Sequence, residues 1–312
     1  MRAATIVERR IVCAEHPDPV PGAGEALVAV RAAGLNGADL LQAAGRYPPP
    51  PGFPPEIPGM EFAGEVVALG TDTFRFAVGD RVMGLVGGGA QAELVRCNER
   101  MLSPVPTGLD WPAAGGLPEV FTTAHDAVFT QAQLQLGERL LVHGAAGGVG
   151  SAAVQLGVAA GASVTATVRR PEHRPDVAAL GALATSPEGF GEHGPFDVIL
   201  ELVGAPNLPD DLAALAVGGR IAVIGIGAGA KAELNLGLLM AKRARIHGST
   251  LRARSLEDKA AAVRAVERHV LPLFGAGALT VPVAETFALA DAAKAYERFA
   301  AGGKFGKLVL IV

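Results

Sequence analysis

From about Glu138 onward the chain alternates short apolar runs with helical segments, and no other feature restricts its fold so tightly. ERLLVHG reads as strand, GGVGSAAVQLGVAAG as helix and ASVTATV as strand. PDVAALG follows as helix, FDVILELVG as strand, PDDLAALA as helix and GRIAVIGIG as strand. Such alternation predicts a parallel sheet with helical crossovers, an α/β doubly wound domain. Residues 140–168 carry no Asp, Glu, Lys or Arg and could suggest a membrane span. The six glycines and the Ser, Thr, Gln and His among them fit strand, turn, helix and strand better.

The first turn of this region is glycine-rich. A dinucleotide-binding turn needs small residues where the backbone bends sharply, approaches a pyrophosphate and packs helix on strand. Ala145, Gly147 and Gly150 take the three positions of the G-x-G-x-x-G pattern, with Gly144 and Gly148 adding freedom. The expected cradle is Gly144, Ala145, Ala146, Gly147, Gly148, Val149 and Gly150, and the following helix points free N–H groups at the diphosphate. An NAD enzyme would place a carboxylate at the end of the second strand, about twenty residues on. That strand instead ends Val168-Arg169-Arg170, with Arg174 nearby. Guanidinium groups suit a ribose 2′-phosphate, so NADPH is the expected cofactor. A solvated arginine face is the competing reading.

The rest of the chain is of a different character. EALVAVRAAGLN, MEFAGEVVALG and GDRVMGLV read as short strands between Gly, Pro and Asp breaks. Between them, residues 47–59 hold seven prolines in thirteen positions, which excludes helix or interior strand and leaves an ordered loop or a mobile lid. A helical pattern starts near Pro118, and Ser255 with Asp258 resembles a capping box opening another. The tail reads VPVAETF strand, ADAAKAYERFAA helix and KLVLIV strand, the last needing a sheet to join. We therefore expect residues 1–117 and 255–312 to build one domain around an inserted nucleotide domain, 118–254.

Composition removes several functions. With 27 basic and 31 acidic residues there is no electrostatic footprint for nucleic acid or an anionic membrane. Two cysteines, Cys13 and Cys97, exclude a disulfide framework and a multi-cysteine zinc lobe. MRAATIVERR has no apolar signal core, so a soluble cytoplasmic protein is expected.

HGAAGGVG, PEVFTTA, GMEFAGEVVALG, GDRV and MAKRARIHGSTLRARSLEDK together resemble the zeta-crystallin-like quinone oxidoreductases, a zinc-free branch of the medium-chain dehydrogenase/reductases. The resemblance runs over about residues 20 to 312. It implies a GroES-like, partly open β-barrel catalytic domain plus a Rossmann domain, an active site in the cleft between them, a homodimer, and reduction of quinones or enones by NADPH. Where alcohol dehydrogenase relatives carry zinc ligands, this chain has Asn36, Gly37 and Met60, none of which suits zinc. The four-cysteine lobe is absent, since Val82 to Gln91 runs VMGLVGGGAQ.

The resemblance also implies roles for single residues. Asn36 would lie near the nicotinamide ribose, Tyr47 beside the cofactor in the proline-rich loop and Thr123 behind the nicotinamide. Asn36 as a simple turn residue, and Tyr47 as a ring packed on prolines, are the alternatives. Glu61 is expected to be an ion-pair partner rather than a catalyst. His143 and Tyr296 read as core residues, and Lys304 and Lys307 as solvated flanks of the last strand. Ala182 to Phe196 is short and lacks the Tyr that relatives place near adenine. Two further functions stay open: a 2-enoyl-thioester reductase and a non-catalytic NADPH-binding protein.

Overall fold

The longest strand, Glu25–Gly34, organises the N-terminal part of the molecule. Its residues alternate between buried and partly exposed at first and become continuously buried toward Gly34, where the other face is covered as well. It pairs antiparallel with Glu61–Leu69, with Leu94–Asn98 and, at its far end, with the C-terminal strand Lys307–Ile311. Arg81–Leu85 and Leu102–Pro104 continue the sheet on one side, and Val283–Ala288 adds on the other, giving seven strands. The hairpin Arg2–Val7 with Arg10–Glu15 forms a separate two-stranded sheet. This is the GroES-like architecture that the resemblance implies. Phe62, Val28, Val66, Val82 and Leu102 fill its core.

The structure, a computed structural model, describes residues 1 to 312, and these form two units. Unit one is Met1–Glu119 with Leu251–Val312; unit two is Val120–Thr250. In unit one the helix Leu256–His269 opens as expected, the Ser255 hydroxyl oxygen accepting from the Asp258 N–H at 3.1 Å. The helix Ala292–Ala300 buries Tyr296, whose hydroxyl donates to Gln91 Oε1 at 2.7 Å. The core position read for Tyr296 therefore carries a hydrogen bond that sequence does not show.

Unit two is a six-stranded parallel sheet in the order Leu183–Thr185, Ser163–Thr167, Arg139–Val142, Phe196–Glu201, Leu215–Val223, Arg245–Gly248. Every neighbouring pair is parallel. The helix Gly148–Ala159 follows the first strand, Arg174–Ala179 the second and Leu208–Ala214 the fourth, in chain order. Leu141, Ile199, Leu212, Leu215 and Ile221 form the core beneath them. Strand order reverses between Arg139–Val142 and Phe196–Glu201, and open α/β sheets bind ligands at such a switch point. The helix Pro118–His125 runs on into a π-helical segment, Asp126–Gln131, a widening that periodicity does not reveal. No helix is long and apolar enough to cross a membrane.

Candidate active site

In unit two, the first strand leads into the glycine-rich turn. Gly144 has φ +65°, a left-handed conformation that favours glycine. A Cβ on Gly150 would lie 2.5 Å from the Gly144 carbonyl oxygen, so helix and turn can close together only if that position is bare. Ala145 is fully buried, and its N–H donates to the Thr167 carbonyl at 3.2 Å, tying the turn to the second strand. Gly147 caps the helix Gly148–Ala159 with no side-chain hydrogen bond. The first-turn N–H groups, which no helix can satisfy internally, point outward and can donate to water or to an anion. Gly144, Ala146, Gly147, Gly148 and Val149 are partly accessible around this turn. The cradle suits a diphosphate.

Arg169 and Arg170 follow the end of the second strand and are exposed. Arg170 approaches Glu172 at 3.6 Å, a pair too exposed to hold it firmly. Arg174 folds back, its Nε donating to the Val168 carbonyl at 3.4 Å. Thr123, in unit two, lies half-buried on the helix Pro118–His125.

In unit one, Asn36 sits at the N-terminus of the helix Gly37–Ala43. Its backbone N–H donates to Asp39 Oδ2 at 2.8 Å. Its side chain is committed elsewhere: Nδ2 donates to Glu61 Oε1 at 2.9 Å, and Oδ1 accepts from Lys307 Nζ at 2.8 Å. Lys307 also donates to Glu61 Oε1 at 2.5 Å and to the Leu35 carbonyl at 2.7 Å. Glu61 Oε2 accepts the Glu119 N–H at 2.8 Å. Both charged side chains are buried, Lys307 at 3% exposure and Glu61 at 0%. A Cβ on Gly34 would fall 2.3 Å from Glu61 Oε1, so a bare position here makes room for the carboxylate. Glu61 is thus an ion-pair partner, as expected of it. The expectation for Lys307 is corrected: it is no solvated flank, because Glu61, Asn36 and Leu35 satisfy all three of its ammonium protons. Lys304 is half-buried, its Nζ donating to the Gly306 carbonyl at 2.5 Å, and burial, reinforced by Lys307, lowers its pKa to about 7.

The proline-rich segment is tethered. Arg252 donates to the Tyr47 carbonyl at 3.1 Å, the Gly87 carbonyl at 2.8 Å and Gln42 Oε1 at 2.5 Å. Gln42 Nε2 in turn donates to the Pro55 carbonyl at 3.0 Å. The Tyr47 ring lies 5.1 Å from the Arg252 guanidinium, and burial raises its phenol pKa against the pull of that cation. Beside this loop is a cavity of about 290 Å³, lined among others by Phe53, Met60, Leu85, Leu251 and Lys259. Lys259 is half-buried with its Nζ 5.9 Å from the Phe53 ring, and burial lowers its pKa.

His143 is fully buried, as a core residue is, and it also hydrogen-bonds Thr167 and Asp211. Sequence reading misses Arg252, Lys259 and Asp211, and names Lys307 without its partners. The one available signal was a lysine opening an otherwise apolar terminal strand.

Residues 22–107 match the alcohol dehydrogenase GroES-like domain family, and residues 177–310 match the zinc-binding dehydrogenase family. A mycocerosic acid synthase-like polyketide synthase of Mycobacterium tuberculosis is 33% identical over 94% of this chain. The chain spans only 14% of that relative's length. A quinone oxidoreductase of Pseudomonas syringae pv. tomato superposes with TM-score 0.88 at 29% identity, covering 100% of both chains. The CurK enoyl reductase shares the fold, with TM-score 0.85 at 24% identity over 99% of each chain.

Removing the ammonium should leave a buried carboxylate without its counter-charge. Breaking such a pair from one side typically costs about 3–5 kcal/mol. Lys307→Met should therefore lower unfolding free energy by about that amount in urea titration. Glu61→Leu combined with Lys307→Met should recover much of the loss. Equal losses in the single and double variants would contradict a coupled pair.

Proposed function

Because the chain belongs to the medium-chain dehydrogenase/reductase superfamily, whose members bind a nicotinamide cofactor, we propose that it is a zinc-independent, NADPH-dependent reductase of quinones or activated enones. One observation carries the reading. Where zinc-dependent relatives hold a metal, Asn36 is bound by Glu61 and by the ammonium of Lys307, and Met60 offers no ligand suited to zinc. Alcohol oxidation in those relatives uses a Lewis acid to form the alkoxide. Reduction of an electron-poor acceptor needs only stabilisation of the oxyanion that develops.

The bound cofactor would supply the hydride. The turn Gly144–Gly150 would hold its diphosphate through backbone N–H groups, and Arg169 and Arg170 its 2′-phosphate. Thr123 would lie behind the nicotinamide. Tyr47, whose hydroxyl makes no hydrogen bond to the chain, would face the acceptor oxygen or wall the pocket. The cavity beside the proline-rich loop is apolar over much of its lining and of a size for a bicyclic ring. A homodimer is supported by the open edge strand Arg245–Gly248 and by exposed Ile226, Leu236 and Met240 in the same unit.

A second reading, 2-enoyl-thioester reduction, is favoured by the polyketide synthase relative, which matches almost the whole chain. Turnover of NADPH with 1,2-naphthoquinone, with a crotonyl-thioester and with no acceptor separates the alternatives. The primary reading expects the quinone to be the faster acceptor. Faster thioester turnover selects the second reading, and turnover of neither leaves a binding protein.

In the same assay Tyr47→Phe should keep most of kcat, while Tyr47→Ala should raise KM for bulky quinones. A loss of about 10²-fold or more in kcat for Tyr47→Phe would make the phenol an essential proton donor, since general acid help is typically about 10²–10⁴-fold.

Cofactor choice is tested by binding. Losing one charge-assisted hydrogen bond to a phosphate costs about 1.5–3 kcal/mol, which is about ten- to a hundredfold in affinity. Arg169→Ala and Arg170→Ala should weaken NADPH by that factor and leave NADH nearly unchanged. Equal losses for both cofactors would remove the arginines from recognition.

A further inference from the structure

Beneath the glycine-rich turn lies a buried polar chain that no step above uses. His143 ends the segment entering the turn, Thr167 ends the second strand, Glu201 ends the fourth, and Asp211 sits on the helix Leu208–Ala214. All four are buried, none more than 2% exposed. His143 Nδ1 lies 3.0 Å from Thr167 Oγ1, and His143 Nε2 lies 2.7 Å from Asp211 Oδ1. The ring meets Phe190 edge-on, with centroids 4.8 Å apart, so it cannot turn freely.

Two features do not balance as bare carboxylates. Glu201 accepts three N–H groups: those of Val203 and Gly204 (the latter at 2.7 Å) and Asn207 Nδ2 at 2.9 Å. A carboxylate with three donors is the ionised member. Asp211 Oδ2, in contrast, is buried with no donor. It shares the site with Glu201, one oxygen or ring nitrogen from each of His143, Glu201 and Asp211 lying within 4.8 Å of the other two. Two adjacent buried anions repel, and a proton between them removes both the repulsion and the orphaned oxygen.

We propose that Asp211 Oδ2 carries a proton donated to the Glu201 carboxylate, and that the resulting chain positions the two turns that receive the nicotinamide cofactor. The order of donors then follows without a gap. The Thr167 hydroxyl donates to His143 Nδ1, His143 Nε2–H donates to Asp211 Oδ1, and Asp211 O–H donates to Glu201. Glu201 holds the turn Val203–Gly204, where Gly204 has φ +123°, and His143 anchors the entrance to the phosphate turn. These residues are positioning residues, since they act through backbone at the carboxyl ends of the strands. The inference rests on the reading that unit two binds a nicotinamide cofactor.

The titration sense agrees. Burial raises the Asp211 carboxyl to about 6; contact with His143 opposes this and Glu201 adds to it. His143 and Glu201 are the titratable groups that act on it. An acid whose folded pKa is raised keeps its proton, and the chain with it, below about pH 6, and loses both as pH climbs through that value.

The test is binding of NADH, which lacks a titrating 2′-phosphate, between about pH 5.5 and about pH 8. Wild-type affinity should fall by about tenfold as pH rises across that range, equivalent to 1.4 kcal/mol. Asp211→Asn, whose amide can donate to Glu201 and accept from His143, should hold the low-pH affinity to within about twofold throughout. Asp211→Leu should bind weakly at every pH. A carboxylic-acid C=O infrared band should be present in wild type at low pH and missing in Asp211→Asn. Wild-type affinity independent of pH, or Asp211→Asn as weak as Asp211→Leu, would overturn the proposal in favour of an Asp211 anion paired with protonated His143. One divalent metal per chain that Asp211→Asn loses would overturn it too, placing a cation where the proton is assigned. Failure of wild type to bind either NADH or NADPH would remove the cofactor reading, and the infrared band would still decide the proton.

Discussion

A buried ammonium is stable only where carboxylate and carbonyl oxygens replace its water, and Lys307 meets that demand with three acceptors. Desolvating each ion costs several kcal/mol, so the pair with Glu61 is tolerable because its remaining hydrogen-bonding capacity is also met. Asn36 and the Glu119 N–H complete the set. Consequences spread from there. Gly34 must be bare to admit the carboxylate, and the last strand must align with the end of Glu25–Gly34 to deliver the lysine. Chain segments some 270 residues apart are joined at one point.

The nucleotide unit is organised by backbone rather than by charge. Its turn is set by one left-handed glycine and one glycine too crowded for a Cβ. Such a cradle binds diphosphate chemistry without marking which dinucleotide enters. On our account that distinction falls to Arg169 and Arg170, which are exposed and held by little within the chain. The buried network below the turn makes the opposite contribution, rigidity without ligand contact.

What the sequence made legible was whatever depends on local periodicity or on glycine. The alternation from Glu138 onward, the terminal strand in need of a sheet and the capping residue Ser255 all express short-range rules. Short pieces escaped, such as the edge strand Arg245–Gly248 and the π-helical segment, because a few residues carry no period. Side-chain partnerships across the fold escaped for a different reason. Lys307 and Glu61 are separated by 246 positions, and nothing near either residue announces the other. Similarly, His143 preceding a turn looks like any buried ring until Asp211, 68 residues away, is placed against Nε2. The prolines of residues 47–59 allow an ordered loop or a lid, and the tethers from Arg252 to Tyr47 and from Gln42 to Pro55 favour order.

On the proposed function, hydride transfer here proceeds without a metal, Asn36 being held by Glu61 and Lys307 where zinc-dependent relatives carry a ligand. Quantitative metal analysis of the purified protein, read together with turnover before and after chelation, tests it directly. The account predicts far less than one zinc per chain and rates unchanged by chelator. About one zinc per chain, with activity lost on chelation and restored by zinc, would contradict it.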